Sequence, residues 1–175
     1  MPAESLNPEH VERAEREIGR SVRCACVTIS DSRTRETDTG GDLIEELLIT
    51  AGHVLAHREL VRDEPAQIAA CVERSRAAGA AVLVTTGGTG IAKRDSTFDA
   101  IDALLEKRLP GFGELFRALS FPEIGPAAML TRATAGTVGE LLVFCLPGSP
   151  HAVRLGVERL IVPDLAHLAW ETVRR

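Results

Sequence analysis

The apolar positions of this chain alternate between two periods, one suited to buried strands and one to helices. Residues 22–30, Val-Arg-Cys-Ala-Cys-Val-Thr-Ile-Ser, are a strand-length run rich in small and β-branched residues. After a polar stretch at 31–39, Leu43, Leu47, Leu48 and Ala51 recur at helical spacing, with Gly52 as the stop. Residues 53–61 read as a second strand. Asp63 then stands in a capping position with Pro65 in the first turn. Ile68, Ala69 and Val72 supply that helix's apolar face, and Gly79 ends it. Residues 80–85, Ala-Ala-Val-Leu-Val-Thr, are a continuous apolar run, the pattern of a parallel strand covered on both faces. Downstream, the pattern predicts a helix from about Thr97 to Lys107, a break at Pro110-Gly111, a short helix over about Glu114–Leu119 and loop at 121–128. A short strand is expected around 131–137 and a buried strand over Leu141–Leu146. Two closing helices follow, the second starting near Pro163.

Strands alternating with helices predict an α/β fold: a three-layer α/β/α sandwich with a mostly parallel sheet. Residues 1–20 interleave Glu9, Glu12, Glu15 and Glu17 with Arg13, Arg16 and Arg20 over a thin apolar stripe. They read as a helical N-terminal arm peripheral to the core, leaving residues 21–175 as a single domain. At 175 residues the chain can bury roughly 70% of its unfolded surface without staples.

Charge narrows the function. With 20 Lys+Arg against 25 Asp+Glu, the net charge of −5 does not suit broad phosphate neutralisation, and five Phe, one Trp and no Tyr furnish no base-stacking platform. A nucleic-acid partner is therefore not expected. Nor is a membrane one, since no apolar run approaches the ~20 residues of a span. The start Met-Pro-Ala-Glu-Ser has no signal-peptide character. Cys24, Cys26, Cys71 and Cys145 all sit in apolar segments and form no C-x-x-C pair, as expected of reduced, buried thiols in a cytoplasmic protein.

In open α/β sheets ligands bind beyond the carboxyl ends of the strands. Ser30 and Asp31 follow the first strand and Asp63 the second. After the third come Thr86, Gly87, Gly88, Thr89 and Gly90, then Lys93, Arg94, Asp95, Ser96 and Thr97. Pro147, Gly148 and Ser149 follow the Leu141–Leu146 strand. Hydroxyls, bare amides, cations and carboxylates on one edge suit a phosphorylated ligand with a divalent metal. The run Thr86-Gly-Gly-Thr-Gly90 lets backbone N–H groups approach an anion, although a tight strand-to-helix turn would also require glycine. It is neither a P-loop, lacking Gly-Lys-[Ser/Thr], nor G-x-G-x-x-G. Asp63 and Asp95 each read either as a helix cap or as a Mg²⁺ ligand. His53 and His57 have H-x-x-x-H spacing but no third ligand, and His10 reads as a surface position. His151 lies at the site's edge. No G-x-S-x-G is present, and Ser149 reads as a helix cap.

The loop Thr86-Gly-Gly-Thr-Gly-Ile-Ala-Lys-Arg-Asp95 resembles the T-G-G-T-G…R-D loop of the MogA/MoaB molybdenum cofactor biosynthesis family, to which the gephyrin G domain is related. Thr28-Ile-Ser-Asp31, Asp38-Thr-Gly-Gly41, Val61-Arg-Asp63, Gly111-Phe-Gly-Glu114, Ser120, Glu123-Ile-Gly125, Thr131-Arg-Ala-Thr-Ala-Gly136 and Leu146-Pro-Gly-Ser149 match in family order across about residues 22–165. Phe116–Gly125 is closer to the MoaB branch. The resemblance implies a molybdopterin-binding-like fold and transfer of AMP from ATP to the terminal phosphate of molybdopterin, with Mg²⁺ required. It implies Asp63 and Asp95 as the catalytic, metal-holding pair. Ser30, Asp31, Asp38, the Thr86–Gly90 loop, Lys93, Arg94, Ser120, Thr131, Arg132, Pro147, Gly148 and Ser149 would bind pterin and nucleotide. Ser96 stands where many members have Val, and Thr131 where several active members have Ser. Lys93, Arg94 and Asp95, the pattern lost in inactive MoaB proteins, are retained. Pterin binding without catalysis, or a structural role, are the alternatives. A homotrimer, pairing into a hexamer, is also implied. Phe112, Phe116, Phe121 and Ile124 would supply the contact, lying between Pro110-Gly111 and Pro122, unless they form a local mini-core on their own subunit.

Overall fold

The computed structural model describes residues 8–174. The strands are β1 (Arg23–Ile29), β2 (Val54–Val61), β3 (Val82–Thr86), β4 (Lys107–Arg108), β5 (Thr134–Val138) and β6 (Leu141–Leu146). The helices are α1 (Pro8–Ile18), α2 (Thr39–Thr50), α3 (Pro65–Ala77), α4 (Thr97–Leu104), α5 (Pro110–Ile124), α6 (Pro150–Gly156) and α7 (Leu165–Val173). One six-stranded sheet runs in the order β2-β1-β3-β6-β5-β4. β2, β1, β3 and β6 are parallel, while β5 and β4 close the edge antiparallel.

Alternation along the strands divides the core. Cys24 and Cys26 of β1, Val82 and Val84 of β3, and Leu142, Phe144 and Leu146 of β6 face α2, α5, α6 and α7. Ala25, Val27, Ile29, Leu83, Val143 and Cys145 face Ile68, Cys71 and Val72 of α3 and Ile101 of α4. The sheet thus has a helical layer on each face, as the strand-and-helix pattern predicts. The four cysteines are buried and free. Burial pushes each thiol up to about 12.

Several boundaries differ from expectation. α4 stops at Leu104, and residues 107–108 pair with β5 instead of continuing the helix. Pro110 does not break the chain. It takes the first turn of α5, where a missing N–H costs nothing. α5 then runs through Pro122 to Ile124, and a 3-10 segment follows at Gly125–Leu130, where loop was expected. β5 begins at Thr134, three residues after the expected start. Phe112 and Phe116 are 8% and 1% exposed and pack in the core, with the Phe112 ring 5.1 Å from that of Phe144. The expectation that this phenylalanine cluster lies outside the core therefore holds only for Phe121 and Ile124, which are exposed. α1 is not a free arm. Ala14 is fully buried, and the Arg13 guanidinium lies 5.5 Å from the Trp170 ring of α7. Residues 1–7 of the expected arm, and the side chain of His10, lie outside the described residues. His53 is buried, and its Nδ1 accepts a hydrogen bond from the Val22 amide.

Candidate functional site

A cleft of about 180 Å³ opens at the carboxyl ends of β1 and β3. Its lining includes Thr28, Ser30, Arg33, Asp38, Gly40, Thr86, Gly87, Gly88 and Gly148. Three segments far apart in sequence, 28–40, 86–88 and the one at Gly148, meet there because parallel strands deliver their ends to one side of a sheet. The floor demands glycine. Gly87 and Gly88 have φ of 107° and 59°. A Cβ on Gly87 would overlap the Ile29 carbonyl, and one on Gly88 would overlap Thr97 and Asp63. Across from them, Gly148 approaches the Gly87 Cα to 3.2 Å from where its own Cβ would stand.

Asp38 is 1% exposed and fully engaged. Thr28 Oγ1 lies 2.9 Å from both carboxylate oxygens, the Gly41 amide donates to Oδ1 at 3.0 Å, and Arg58 Nη2 donates to Oδ2 at 3.1 Å. Asp38 is thus the N-cap of α2 as well as part of the cleft wall. Arg58, whose side chain is only 10% exposed, also pairs with Asp42 and Glu45. Burial opposes its charge, but the hydrogen bonds it donates to Asp42, Glu45 and Asp38 outweigh that and raise its pKa. Arg35 and Arg58 together hold Asp42 below the usual carboxylate range.

Asp63 does not cap its own helix. The N-cap of α3 is Glu64, which makes no side-chain cap bond. Asp63 instead reaches across to α4: Oδ1 accepts from Ser96 Oγ at 2.7 Å, Thr97 Oγ1 at 3.1 Å and the Ser96 amide at 3.3 Å. Asp95 does not cap α4 either, since Ser96 takes that position. Asp95 Oδ2 accepts from the Ala92 amide at 3.1 Å and closes the turn of the loop. The chain neighbours Asp95 and Ser96 therefore bring the Asp63 and Asp95 segments together. Among the described residues, each carboxylate keeps one oxygen with no donor closer than 3.4 Å, Oδ2 of Asp63 and Oδ1 of Asp95. Two hard oxygen donors of this kind fit Mg²⁺, which takes one or two carboxylates and completes its shell with water and substrate phosphates. Among the described residues there is no group of three His, Cys, Asp or Glu that could hold a metal alone.

The other expected residues are distributed as follows. Arg94 Nε donates to Asp31 Oδ2 at 2.8 Å, and the Asp63 amide donates to Asp31 Oδ1 at 3.3 Å. The Arg94 hydrogen bond holds Asp31 below the usual carboxylate range, and Asp31 in turn raises Arg94. Ser30 Oγ accepts the Ser32 and Arg33 amides and so shapes the loop after β1. Thr86 Oγ1 donates to the Pro147 carbonyl at 2.9 Å, tying two rims of the cleft. Ser149 caps α6 through the Ala152 amide, as its position suggests. Arg132 holds the glycine loop from outside: it donates to the carbonyls of Thr89, Gly90 and Asp95 and pairs with Asp99. Lys93 is exposed at the loop's tip.

Of the expected residues, Ser30, Asp38, Thr86, Gly87, Gly88 and Gly148 line the cleft itself, and the others stand outside its lining. Ser120 is buried on α5, and its hydroxyl bonds back to the Phe116 carbonyl. Thr131 lines a separate groove with Arg132, Arg117 and Phe98. Arg33 and Arg58 were missed by sequence reading. Nothing local distinguishes Arg33 from the other charges in a polar loop, and Arg58 lies in a strand whose alternation is obscured by His57 and Glu59. Among the described residues, no helix is long and apolar enough to cross a membrane.

Residues 25–167 match the family described as "Probable molybdopterin binding domain". The chain is 48% identical over 169 residues to the Bacillus cereus molybdenum cofactor biosynthesis protein B, covering 95% of this chain and 98% of that one. A crystal structure of a molybdenum cofactor biosynthesis protein B superposes with a TM-score of 0.85 at 49% identity, covering 89% and 98% of the two chains. The Pyrococcus furiosus tungsten cofactor synthesizing protein MoaB superposes with a TM-score of 0.80 at 36% identity, covering 89% and 99%.

Proposed function

The chain belongs to the MogA/MoaB family of molybdenum cofactor biosynthesis proteins, and from that premise we propose that it transfers AMP from ATP to the terminal phosphate of molybdopterin. The observation that carries the proposal is the glycine-floored cleft whose loop has Asp63 against Gly88 and, farther along, Asp95 against Gly90. A phosphate monoester is largely dianionic at neutral pH, its second pKa being about 6, so the nucleophile requires no strong base. Its oxygen forms the new bond to the α-phosphorus, and the bond to the β-phosphate oxygen breaks, releasing pyrophosphate. The protein's task is to align two anions and relieve charge on the leaving group. The Gly88 amide and the Lys93 ammonium serve that task, while the Gly87 amide is held by the Leu146 carbonyl at 3.1 Å. Arg132 keeps the loop in shape, and Arg94 bridges it to Asp31. Asp63 and Asp95 would hold Mg²⁺, which supplies charge neutralisation on the phosphates.

The test is incubation with molybdopterin, Mg²⁺ and ATP, followed by detection of adenylylated pterin and pyrophosphate. Their absence, with pterin still bound, would favour the second reading, binding without catalysis. One observation supports that alternative: Asp63 already spends Oδ1 on Ser96 and Thr97. We further propose assembly into a homotrimer that pairs into a hexamer. Leu115, Phe121, Ile124, Met129 and Leu130 stand exposed along α5 and the following 3-10 segment, an apolar patch that a second copy would cover.

A further inference from the structure

We propose that Arg33 is the side chain by which this cleft recognises a phosphate group, a role that rests on reading the cleft as an anion site and names the residue that decides its affinity. The cations near the site differ in what they already hold. Arg94 is spent on Asp31 and Glu64, Arg132 on Asp99 and three loop carbonyls, and Arg58 on Asp38, Asp42 and Glu45 behind the wall. Arg33 is the only cation among the described residues lining the cleft. It pairs with no carboxylate among those residues.

Its placement is fixed from two sides. The Arg33 amide donates to Ser30 Oγ at 3.2 Å, which sets the backbone. Nη1 donates to the Thr37 carbonyl at 2.9 Å and to Thr39 Oγ1 at 3.3 Å, which sets the guanidinium. These acceptors are neutral and do not neutralise the guanidinium, and Nε and Nη2 make no further hydrogen bond among the described residues. A guanidinium held at one nitrogen and open at the others matches two oxygens of a phosphate. The one carboxylate in the lining, Asp38, does not compete for it. Both of its oxygens accept from Thr28, and Gly41 and Arg58 complete the set. Gly87, Gly88 and Gly148 opposite leave room for an anion to approach backbone.

The test titrates wild type and Arg33→Gln with inorganic phosphate, pyrophosphate and molybdopterin, and with molybdopterin stripped of its phosphate. Wild type is expected to bind pyrophosphate and to prefer the phosphorylated pterin. Arg33→Gln is expected to bind both roughly ten- to a hundredfold more weakly, the loss of one or two charge-assisted hydrogen bonds, with affinity for the stripped pterin unchanged. Arg33→Lys, which keeps the charge and most of the volume, carries the test if the glutamine variant does not fold. It is expected to lose severalfold, because a single ammonium does not hold Thr37 and a phosphate together. Wild-type affinity for phosphorylated ligands in either folded variant overturns the assignment, as does a wild type indifferent to phosphate. Arg33-dependent binding of pyrophosphate without any binding of pterin would instead overturn the proposed function and leave Arg33 in place.

Discussion

Asp63, just past the end of β2, anchors the start of α4 rather than capping α3: its Oδ1 lies 2.7 Å from the hydroxyl of Ser96, thirty-three residues downstream. One carboxylate therefore joins the second and third strand ends and stands beside the glycine loop. Asp95, its partner in the proposed metal site, has no comparable structural load.

The two aspartates should separate on substitution. Asp63→Asn should abolish Mg²⁺-dependent turnover and also cost about 1–2 kcal/mol of stability, since the amide weakens the bonds from Ser96 and Thr97. Asp95→Asn should abolish turnover with little change in the thermal midpoint. Equal midpoints for the two variants, measured by calorimetry, would contradict the anchoring of α4 by Asp63.

Gly40 offers a cleaner probe of the cleft than Gly88. A side chain at Gly88 would overlap Thr97 and Asp63, so its replacement should unfold the loop before it reports on binding. A Cβ at Gly40 meets Thr86 Cγ2 at 3.6 Å, an ordinary contact, and points into the lining. Gly40→Ala should keep or slightly raise stability, by about 0.5 kcal/mol, while weakening pyrophosphate binding severalfold. Undiminished affinity by isothermal titration would place the anion elsewhere.

Arg58→Met should be the costliest of the charge removals, at about 3 kcal/mol, because it strands the buried carboxylate of Asp38. Arg94→Ala, which breaks an exposed pair, should leave the denaturant midpoint nearly unchanged. A reversed order in urea unfolding would refute the network as described.

Stability should decline on the acid side in part through His53. Burial lowers its pKa from 6.5, and its Nδ1 must stay unprotonated to accept the Val22 amide. The unfolded chain takes up that proton first, so this contribution is complete above pH 6.5 and shrinks as the pH falls below it. His53→Gln, whose amide oxygen can accept the same bond, should show a shallower decline in urea melts between about pH 5 and 6.5. An unchanged slope would assign the acid lability to other groups.

Static light scattering should give a mass at least three times the 18.8 kDa of the chain at micromolar concentration. Met129→Asp and Phe121→Asp, at positions 78% and 59% exposed, should lower that mass without unfolding the chain. A monomeric wild type would refute the assembly.

The strands and the glycine loop were legible because they depend on local pattern: a continuous apolar run for β3, and glycines where φ is positive. The carboxyl-edge rule then gathered the cleft from segments that share no sequence proximity. What eluded that reading was the pairing of side chains across those segments. Asp63 and Asp95 look like caps for the helices that follow them, yet their hydrogen bonds are set by the packing of the β2 and β3 ends. Pro110 and Pro122 look like breaks, but one occupies a first turn and the other an exposed stretch of helix. Arg33 and Arg58 carry no local signal at all, since a charge's partners are fixed only when the sheet assembles.

Arg132 grips the carbonyls of Thr89 and Gly90 from forty-three and forty-two residues downstream. In kinetic terms, the glycine loop cannot reach its final shape while the chain is still being added to β3 and α4. It must wait until the segment leading into β5 has docked against the edge of β6. Loop closure over that distance is slow compared with local helix formation. The loop's described shape therefore depends on the segment leading into β5, and a nascent chain ending before residue 132 would have the glycines but not the three carbonyl contacts that hold them.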